Sequence, residues 1–390
     1  MIQQPQYTQA TPKYNFPPHT LEDTTLPQRF LELSLRSIKN IHNGEALYQP
    51  YETTTEDTLN PTEEITPTFQ GQTTLKLRTI QLKPKPNPQP VIAIDVSSIK
   101  IGETNTGIIL ALRAATVWKQ NGTGYRYLRF GPFPFHITEE NKQEIYSLFN
   151  QYSRDAPEAD SNHIWIMSET RGGTADFFKS RSPPSLINMQ TRMTTLLERW
   201  LQTQIAAQTQ NSLILLDGSL TAGIGDTPIS IMAQLLYTAS SHHNTILAIT
   251  KATRLRLNGH TLTDLINKSK PPCLLQTDGQ AASAYQHIHF MGNIYVAKLS
   301  PSPYAFRLDI DQKTPTTQAI QAVEHLIAND LVLDGYPETL RLAHIYSTFT
   351  ANEVIGIQRF LAQTHGIKTI QRPNIRRLLF GPYGKGPTES

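Results

Sequence analysis

The sequence predicts a mixed α/β fold: an antiparallel meander, then parallel βα units, flanked by helices and carrying extra β and helical elements. Two observations predict it. Three strand-like runs follow one another from residue 90, and from residue 189 apolar helices alternate with short, continuously apolar strands. The runs are PVIAIDVSS (90–98), TGIILALRAATVW (106–118) and GYRYLRFGPF (124–133). The stretch 189–208 repeats Met193, Leu196, Leu197, Trp200, Leu201 and Ile205 at helical spacing. A buried strand SLILLDGS, a helix around 228–240 and a second buried strand NTILAITK (244–251) come next. YQHIHF, NIYVAKL and YAFRLDI read as further strands, the first two joined by a turn at Met291–Gly292. Helical runs at 316–330, in TLRLAHIYS and in ANEVIGIQRFLAQT close the chain.

The rest of the chain reads as approach and tail. Residues 1–25 form a Gln-, Pro- and Thr-rich arm, and 26–89 hold one amphipathic helix (26–42) followed by a Pro/Thr-rich segment. KPKPNPQP ends that segment and cannot continue a helix or a central strand. The main domain is expected at 90–365, with 131–187 as an irregular insertion in which 163–169 is a candidate short strand, and a basic tail at 366–390.

Composition excludes several classes. In 390 residues, 35 basic and 32 acidic side chains leave a net charge of +3, so any polyanion site must be a local patch. A single cysteine, Cys273, excludes an internal disulfide framework and a multi-thiolate zinc site. No apolar run reaches the roughly 20 residues of a membrane span, and residues 1–20 lack a secretory pattern. A cytoplasmic protein without membrane association is the expectation.

The chemistry-bearing residues are acids at strand ends. Asp95 ends VIAID and Asp217 ends LILLD, each followed by small residues that leave room for a ligand. Glu198 lies on the preceding helix, 217 − 198 = 19 residues upstream, at the margin of its apolar face. Clustered oxygen ligands suit Mg²⁺ or Mn²⁺, and one or two such ions can activate water against a phosphodiester. Without cations the three carboxylates would repel. Lys251, at the end of LAITK, is placed to hold a phosphate oxygen. Asp309 and Asp311 in FRLDID are further metal candidates, with a solvated turn as their other reading, and Tyr336 and His344 flank a helix start. Arg126 and Arg129 among Tyr125 and Tyr127, then Arg254 and Arg256, and Arg372, Arg376 and Arg377 are candidate DNA contacts.

VIAIDVSS, the glutamate 19 residues before LILLDGSL, AITK and GYPETLRLAH together resemble the NurA nucleases, over roughly residues 90–350. That resemblance implies a ribonuclease-H-like, Mn²⁺-dependent nuclease acting in DNA double-strand-break end resection. It implies 5′–3′ exonuclease and single-strand endonuclease activity on DNA without sequence preference. A homodimer and a hexameric DNA-translocating ATPase partner of the HerA type are implied as well. Carried over by motif, Asp95, Glu198 and Asp217 are the metal-binding acids, Lys251 the motif lysine, and Tyr336 and His344 the C-terminal pair. The chain departs in Val96, where the family more often has glycine, and in its 50–89 and 131–187 segments. Two other readings stay open at this point. One is a non-catalytic adaptor for DNA or a translocase. The other is an actin-like ATPase or sugar kinase, although glycine-rich phosphate hairpins are missing near residue 100 and GKG at 384–386 is no P-loop. His287 and His289 share a strand face without a third ligand nearby in sequence, and His242–His243 reads as a loop.

Overall fold

The computed structural model describes residues 25–41, 46–49, 68–69, 76–120, 124–152, 183–223, 227, 229–253, 255–257, 260–278 and 289–371. Helix α1 (Thr25–Lys39) leads to the short strands β1 (Ala46–Gln49) and β2 (Thr68–Phe69) and to β3 (Lys76–Gln81). The meander follows as β4 (Val91–Glu103), β5 (Gly107–Lys119) and β6 (Tyr125–Thr138), then helix α2 (Lys142–Tyr152). Helix α3 (Leu186–Gln208), β7 (Leu213–Asp217), β8 (Thr221–Ala222), α4 (Ile229–Ser241) and β9 (Thr245–Thr250) form the alternating part. Next come β10 (Arg256–Leu257), β11 (His260–Thr261), a 3₁₀ turn (Leu262–Ile266), β12 (Cys273–Asp278), β13 (His289–Phe290), β14 (Gly292–Lys298) and β15 (Phe306–Asp311). The chain closes with α5 (Thr316–Asn329), β16 (Val332–Leu333), β17 (Tyr336–Pro337), α6 (Glu338–Ser347), α7 (Ala351–His365) and β18 (Lys368–Gln371).

Eleven of these strands make one mixed sheet. β4, β7 and β9 are mutually parallel, β4–β5–β6 is the antiparallel meander, and β15, β14, β12 and β3 extend the far side antiparallel. Alternation along each strand divides the core between two faces. Ile92, Ile94, Ile214 and Leu216 pack under Leu196, Leu197 and Leu201 of α3. Ala93, Leu215, Leu247 and Ile249 face Val323 and Leu326 of α5 and Leu340 and Ala343 of α6. No described helix is long and apolar enough to cross a membrane.

Three expectations change. Residues 131–138 belong to β6 rather than to an irregular insertion, and 142–152 are helical; 153–182, with the 163–169 strand, lie outside the described residues. The strand tolerates Pro132 and Pro134 because β6 pairs only with β5, so their missing N–H groups interrupt no second ladder. Gly131, at φ 93°, sits where the register shifts between Leu112 and Ala114. Met291–Gly292 joins no hairpin: β13 pairs with β8, and the antiparallel neighbour of β14 on that side is β12, an apolar run that the sequence reading passed over. Gly292 is required by close approach, since a Cβ there would meet the Asp309 Cβ at 2.9 Å. Strands β1, β3 and β18 also go beyond the sequence expectation. They are short, with β3 and β18 at the ends of the sheet and β1 between β18 and β4, and their pairing comes from partners distant in sequence.

One ion-pair knot ties the end of α6 to the meander. Glu353 closes a capping box with Thr350 at the start of α7. The same carboxylate accepts from Arg113 of β5 at 2.8 and 3.2 Å and from Arg129 of β6 at 3.2 Å. Arg113 is 2 % exposed, donates also to the Thr348 carbonyl at 3.0 Å, and lies 4.3 Å from the centre of the Phe349 ring. Arg113→Ala should therefore cost about 2–4 kcal/mol in urea denaturation, because it removes one side of a largely buried, hydrogen-bonded pair. Burial raises the Glu353 carboxyl, but Arg113 and Thr350 more than offset this and hold it at about 2, below its usual 4.5. The unfolded chain takes up that proton first as pH falls. The contribution is thus present above about pH 4.5 and lost toward about pH 2, and Glu353→Gln should flatten that part of the melting-temperature profile.

Candidate metal centre

Asp95 does not end its strand. β4 runs eight residues further, to Glu103, and what ends at Asp95 is pairing with β7, which spans Val91–Ile94 against Leu213–Leu216. On that edge β4 next meets a described strand only at Glu103, opposite Tyr48 of β1. Two carbonyls of the intervening stretch are served by side chains instead: Ser98 accepts from Gln190 of α3 and Ile101 from Gln358 of α7. The parting opens a crevice beside the carboxyl end of β7, with Asp95 and Asp217 on its two walls. Val96 suits this arrangement, because the position is strand interior and its side chain is buried against the core.

The loop after Asp217 is fixed from below. Gly218, at φ 119°, makes a turn that a side chain would strain, and its N–H donates to the Ile249 carbonyl at 2.9 Å. Leu220 N–H donates to Asp309 at 3.0 Å. Asp309 is 1 % exposed and takes both forks of Arg307, at 2.7 and 2.6 Å. Both Asp309 oxygens are therefore engaged, and the residue is neither a metal ligand nor a solvated turn but the anchor of the Asp217 loop. Asp311 is at the end of β15, where it accepts from the Lys313 N–H at 3.0 Å.

Side chains from four elements meet in the crevice. Ligand atoms of Asp95, Asp217 and His344 all lie within 4.8 Å of one another. His344 Nδ1 is 3.3 Å from Asp95 Oδ2, and Lys251 Nζ, just past β9, is 2.7 Å from Asp217 Oδ2. Ser347, one turn after His344 on α6, donates to the same Asp95 oxygen and lies 2.8 Å from the Ser97 hydroxyl. Tyr336 extends under Lys251, whose ammonium is 5.7 Å from the ring centre. The Tyr336 hydroxyl is buried with no hydrogen-bond partner among the described residues.

Glu198 is outside this compact group. Its carboxylate accepts from Gln202, one turn along α3, at 2.8 Å, yet it is electrostatically coupled to the group. Burial raises its pKa to about 8; Arg199 and Gln202 oppose the shift, and the charges of Asp95 and Asp217 add to it. Burial also raises Asp217, against the pull of Lys251. Asp95 moves the other way: burial would raise it, but hydrogen bonds with His344 and Ser347 and the charges of His344 and Lys251 leave it below the usual range. The hydrogen bond with Asp95 raises His344 despite partial burial. Tyr336 is pushed well up by burial and by both aspartates.

Sequence reading thus names every acid at the crevice but misses Ser347 and Ser97. Their signal is spacing: i+3 from His344 on a helix, and i+2 from Asp95 on a strand. The predicted DNA contacts fare differently. Arg129 is on the Asp95 face of the sheet but is paired with Glu353, Arg126 points to the opposite face of β6, and Arg256 is exposed on β10 in a separate three-stranded sheet. Arg254, Arg372, Arg376, Arg377 and His287 lie outside the described residues. His289 is exposed on β13, and His242–His243 form a turn after α4.

A family model for the NurA domain matches residues 89–347. Among solved structures, the NurA nuclease from Sulfolobus solfataricus aligns at a TM-score of 0.42 and 13 % identity, covering 73 % of this chain and 87 % of that one. Ciona intestinalis endonuclease V, in complex with DNA containing an inosine followed by a ribo-adenosine, aligns at 0.32 and 12 % identity, covering 69 % and 87 %. Human ENDOV aligns at 0.29 and 10 %, covering 69 % and 85 %. No curated protein matches the chain.

The electrostatics carry a testable consequence. The folded chain keeps the Glu198 proton up to about pH 8, whereas the unfolded chain releases it near 4.5. This group therefore lowers the stability of metal-free protein as pH rises through that window. Metal-free Glu198→Gln should lose part of that decline, so its melting temperature should exceed that of the wild type at pH 8 and match it near pH 4.5.

Proposed function

The chain belongs to the NurA domain family, and from that premise we propose that it is a divalent-metal-dependent, ribonuclease-H-like nuclease hydrolysing DNA phosphodiesters. The observation that carries this reading is the convergence of Asp95, Asp217 and His344 within 4.8 Å where β4 parts from β7. The ion-holding donors are carboxylate oxygens with no thiolate among them, a set that suits Mn²⁺ or Mg²⁺. The displaced pKa values of Glu198 and Asp217 support it too, since burying these acids together makes sense with a cation to replace the protons. Asp95 and Asp217 would hold one or two ions, with Glu198 joining them once ionised. Such a cation supplies Lewis-acid charge, acidifying water and offsetting charge on the phosphate.

In hydrolysis a water oxygen bonds to phosphorus and gives up a proton to solvent, the bond from phosphorus to the leaving nucleoside oxygen breaks, and that oxygen takes up a proton. His344 is the donor: Asp95 orients its ring and raises its affinity for the proton, and its side chain is 45 % exposed. Lys251, 41 % exposed and paired with Asp217, would be free to hold a phosphate oxygen if Asp217 held an ion instead. The unpartnered Tyr336 hydroxyl, kept protonated by its surroundings, is a further donor to the phosphate. Ser347 and Ser97 hold Asp95 in place.

Family membership supports a biological setting for this reading. It is end resection at double-strand breaks, on single- and double-stranded DNA without sequence preference, as a homodimer working with a HerA-type hexameric ATPase. Asp95→Asn and Asp217→Asn should each lower Mn²⁺-dependent cleavage of labelled DNA by more than ~100-fold while the protein stays folded, because loss of supporting partners alone costs about 10–100-fold. Ser347→Ala should fall in that lower range and weaken Mn²⁺ binding in calorimetry. Cleavage at wild-type rates by either aspartate variant would reject the reading.

A further inference from the structure

The ring of Tyr127 on β6 stacks on that of Tyr346 on α6, with centroids 4.1 Å apart and planes 17° off parallel. Tyr346 is two residues beyond His344, so α6 links the stack rigidly to the crevice. Sheet register places it on the same side. Asp95 is opposite Ala115 and Ala115 opposite Arg129, while Tyr127 is two residues before Arg129 and therefore shares its face. Two strand spacings across and two residues along put Tyr127 roughly 12 Å from Asp95 between Cα atoms. That is the reach of about three to four nucleotides at the ~3.4 Å advance of one strand.

A stack serving packing alone would bury both rings, yet Tyr127 is 47 % exposed with one face already covered by Tyr346. β6 is an edge strand, so among the described residues no further strand covers that side. Beside it on the same face Arg129, 34 % exposed, shares the Glu353 carboxylate with the buried Arg113 and offers a guanidinium to a phosphate. An aromatic platform beside positive charge stacks bases without regard to sequence. We infer that the Tyr127–Tyr346 pair is a stacking platform for a base of single-stranded DNA a few nucleotides from the point of cleavage. This rests on the nuclease reading and adds to it where the strand is held.

The test measures binding of the full chain, free of divalent metal so that the strand stays intact, to a short thymidine oligonucleotide and to its fully abasic counterpart. Wild type and Tyr127→Phe should prefer the thymidine strand by about 5- to 150-fold, the equivalent of one stacked base. Tyr127→Leu and Tyr127→Ser, checked for unchanged melting temperature, should lose most of that preference while still binding the abasic strand like wild type. Retention of the full preference by both variants overturns the platform, as does equal binding of the two strands by wild type. A wild-type chain that binds neither strand, in metal-free buffer or with Ca²⁺, rejects the nuclease reading itself.

Discussion

The site exists because two parallel strands part company. β4 and β7 run together for four residue pairs, Val91–Leu213 to Ile94–Leu216, and β7 then stops while β4 continues. Paired strands hold their backbones about 4.8 Å apart. The first residues past the last rung, Asp95 and Asp217, are therefore held close by the sheet itself rather than by a flexible loop. Gly218 turns the chain away from Asp217 at once, and the Arg307–Asp309 fork beneath Leu220 keeps it there. Positioning of this kind has a cost in repulsion, which falls on side chains further out.

That repulsion explains the surroundings. Two carboxylates share the crevice and a third, Glu198, feels their charge, and the metal-free chain disposes of this charge in three ways. Lys251 bridges to Asp217, the His344 ring sits against Asp95 with its pKa raised, and Glu198 keeps its own proton. Under the proposed metal binding each would be reversible: the lysine and the histidine are partly exposed, and the glutamate can release its proton. A purely structural cluster would bury its counter-charge fully, as Arg307 and Asp309 do at 4 % and 1 % side-chain exposure. The two clusters lie on neighbouring strands, and exposure of the cation separates the chemical one from the structural one.

Much of this was legible in sequence, and the limits are physical. Continuous apolar runs such as LILLD and LAITK announce buried parallel strands, and helical spacing finds α3, α5, α6 and α7. Acids closing such runs mark Asp95 and Asp217, although the apolar pattern makes β4 look finished where only its pairing is. Asp309 misled because FRLDID alternates as an edge strand would, and only the tertiary contact with Leu220 shows that its carboxylate is spent. Ser347 and Ser97 were passed over because a serine carries no periodic signal; its meaning lies in the partner it touches across 250 residues. Short strands such as β1 and β18 pair with each other through long-range closure that no local window contains.

Helix α6 gathers these constraints into one element. Leu340 and Ala343 face the core, His344 and Ser347 meet Asp95, and Tyr346 reaches β6. A helix turns 100° per residue, so residues three and four apart share a side while a residue two apart points elsewhere. Ten residues are thus enough to serve the core, the carboxylate and the edge strand at fixed relative angles. What holds those angles is the far end of the helix, where Arg113 clamps Thr348 and Glu353 caps the next helix. Loosening that clamp would leave the acids in the sheet undisturbed but release the histidine that faces them. The meander and the parallel units are therefore joined chemically as well as topologically: β4 and β7 bring the charge, and α6, pinned to β5 and β6, brings the group that answers it.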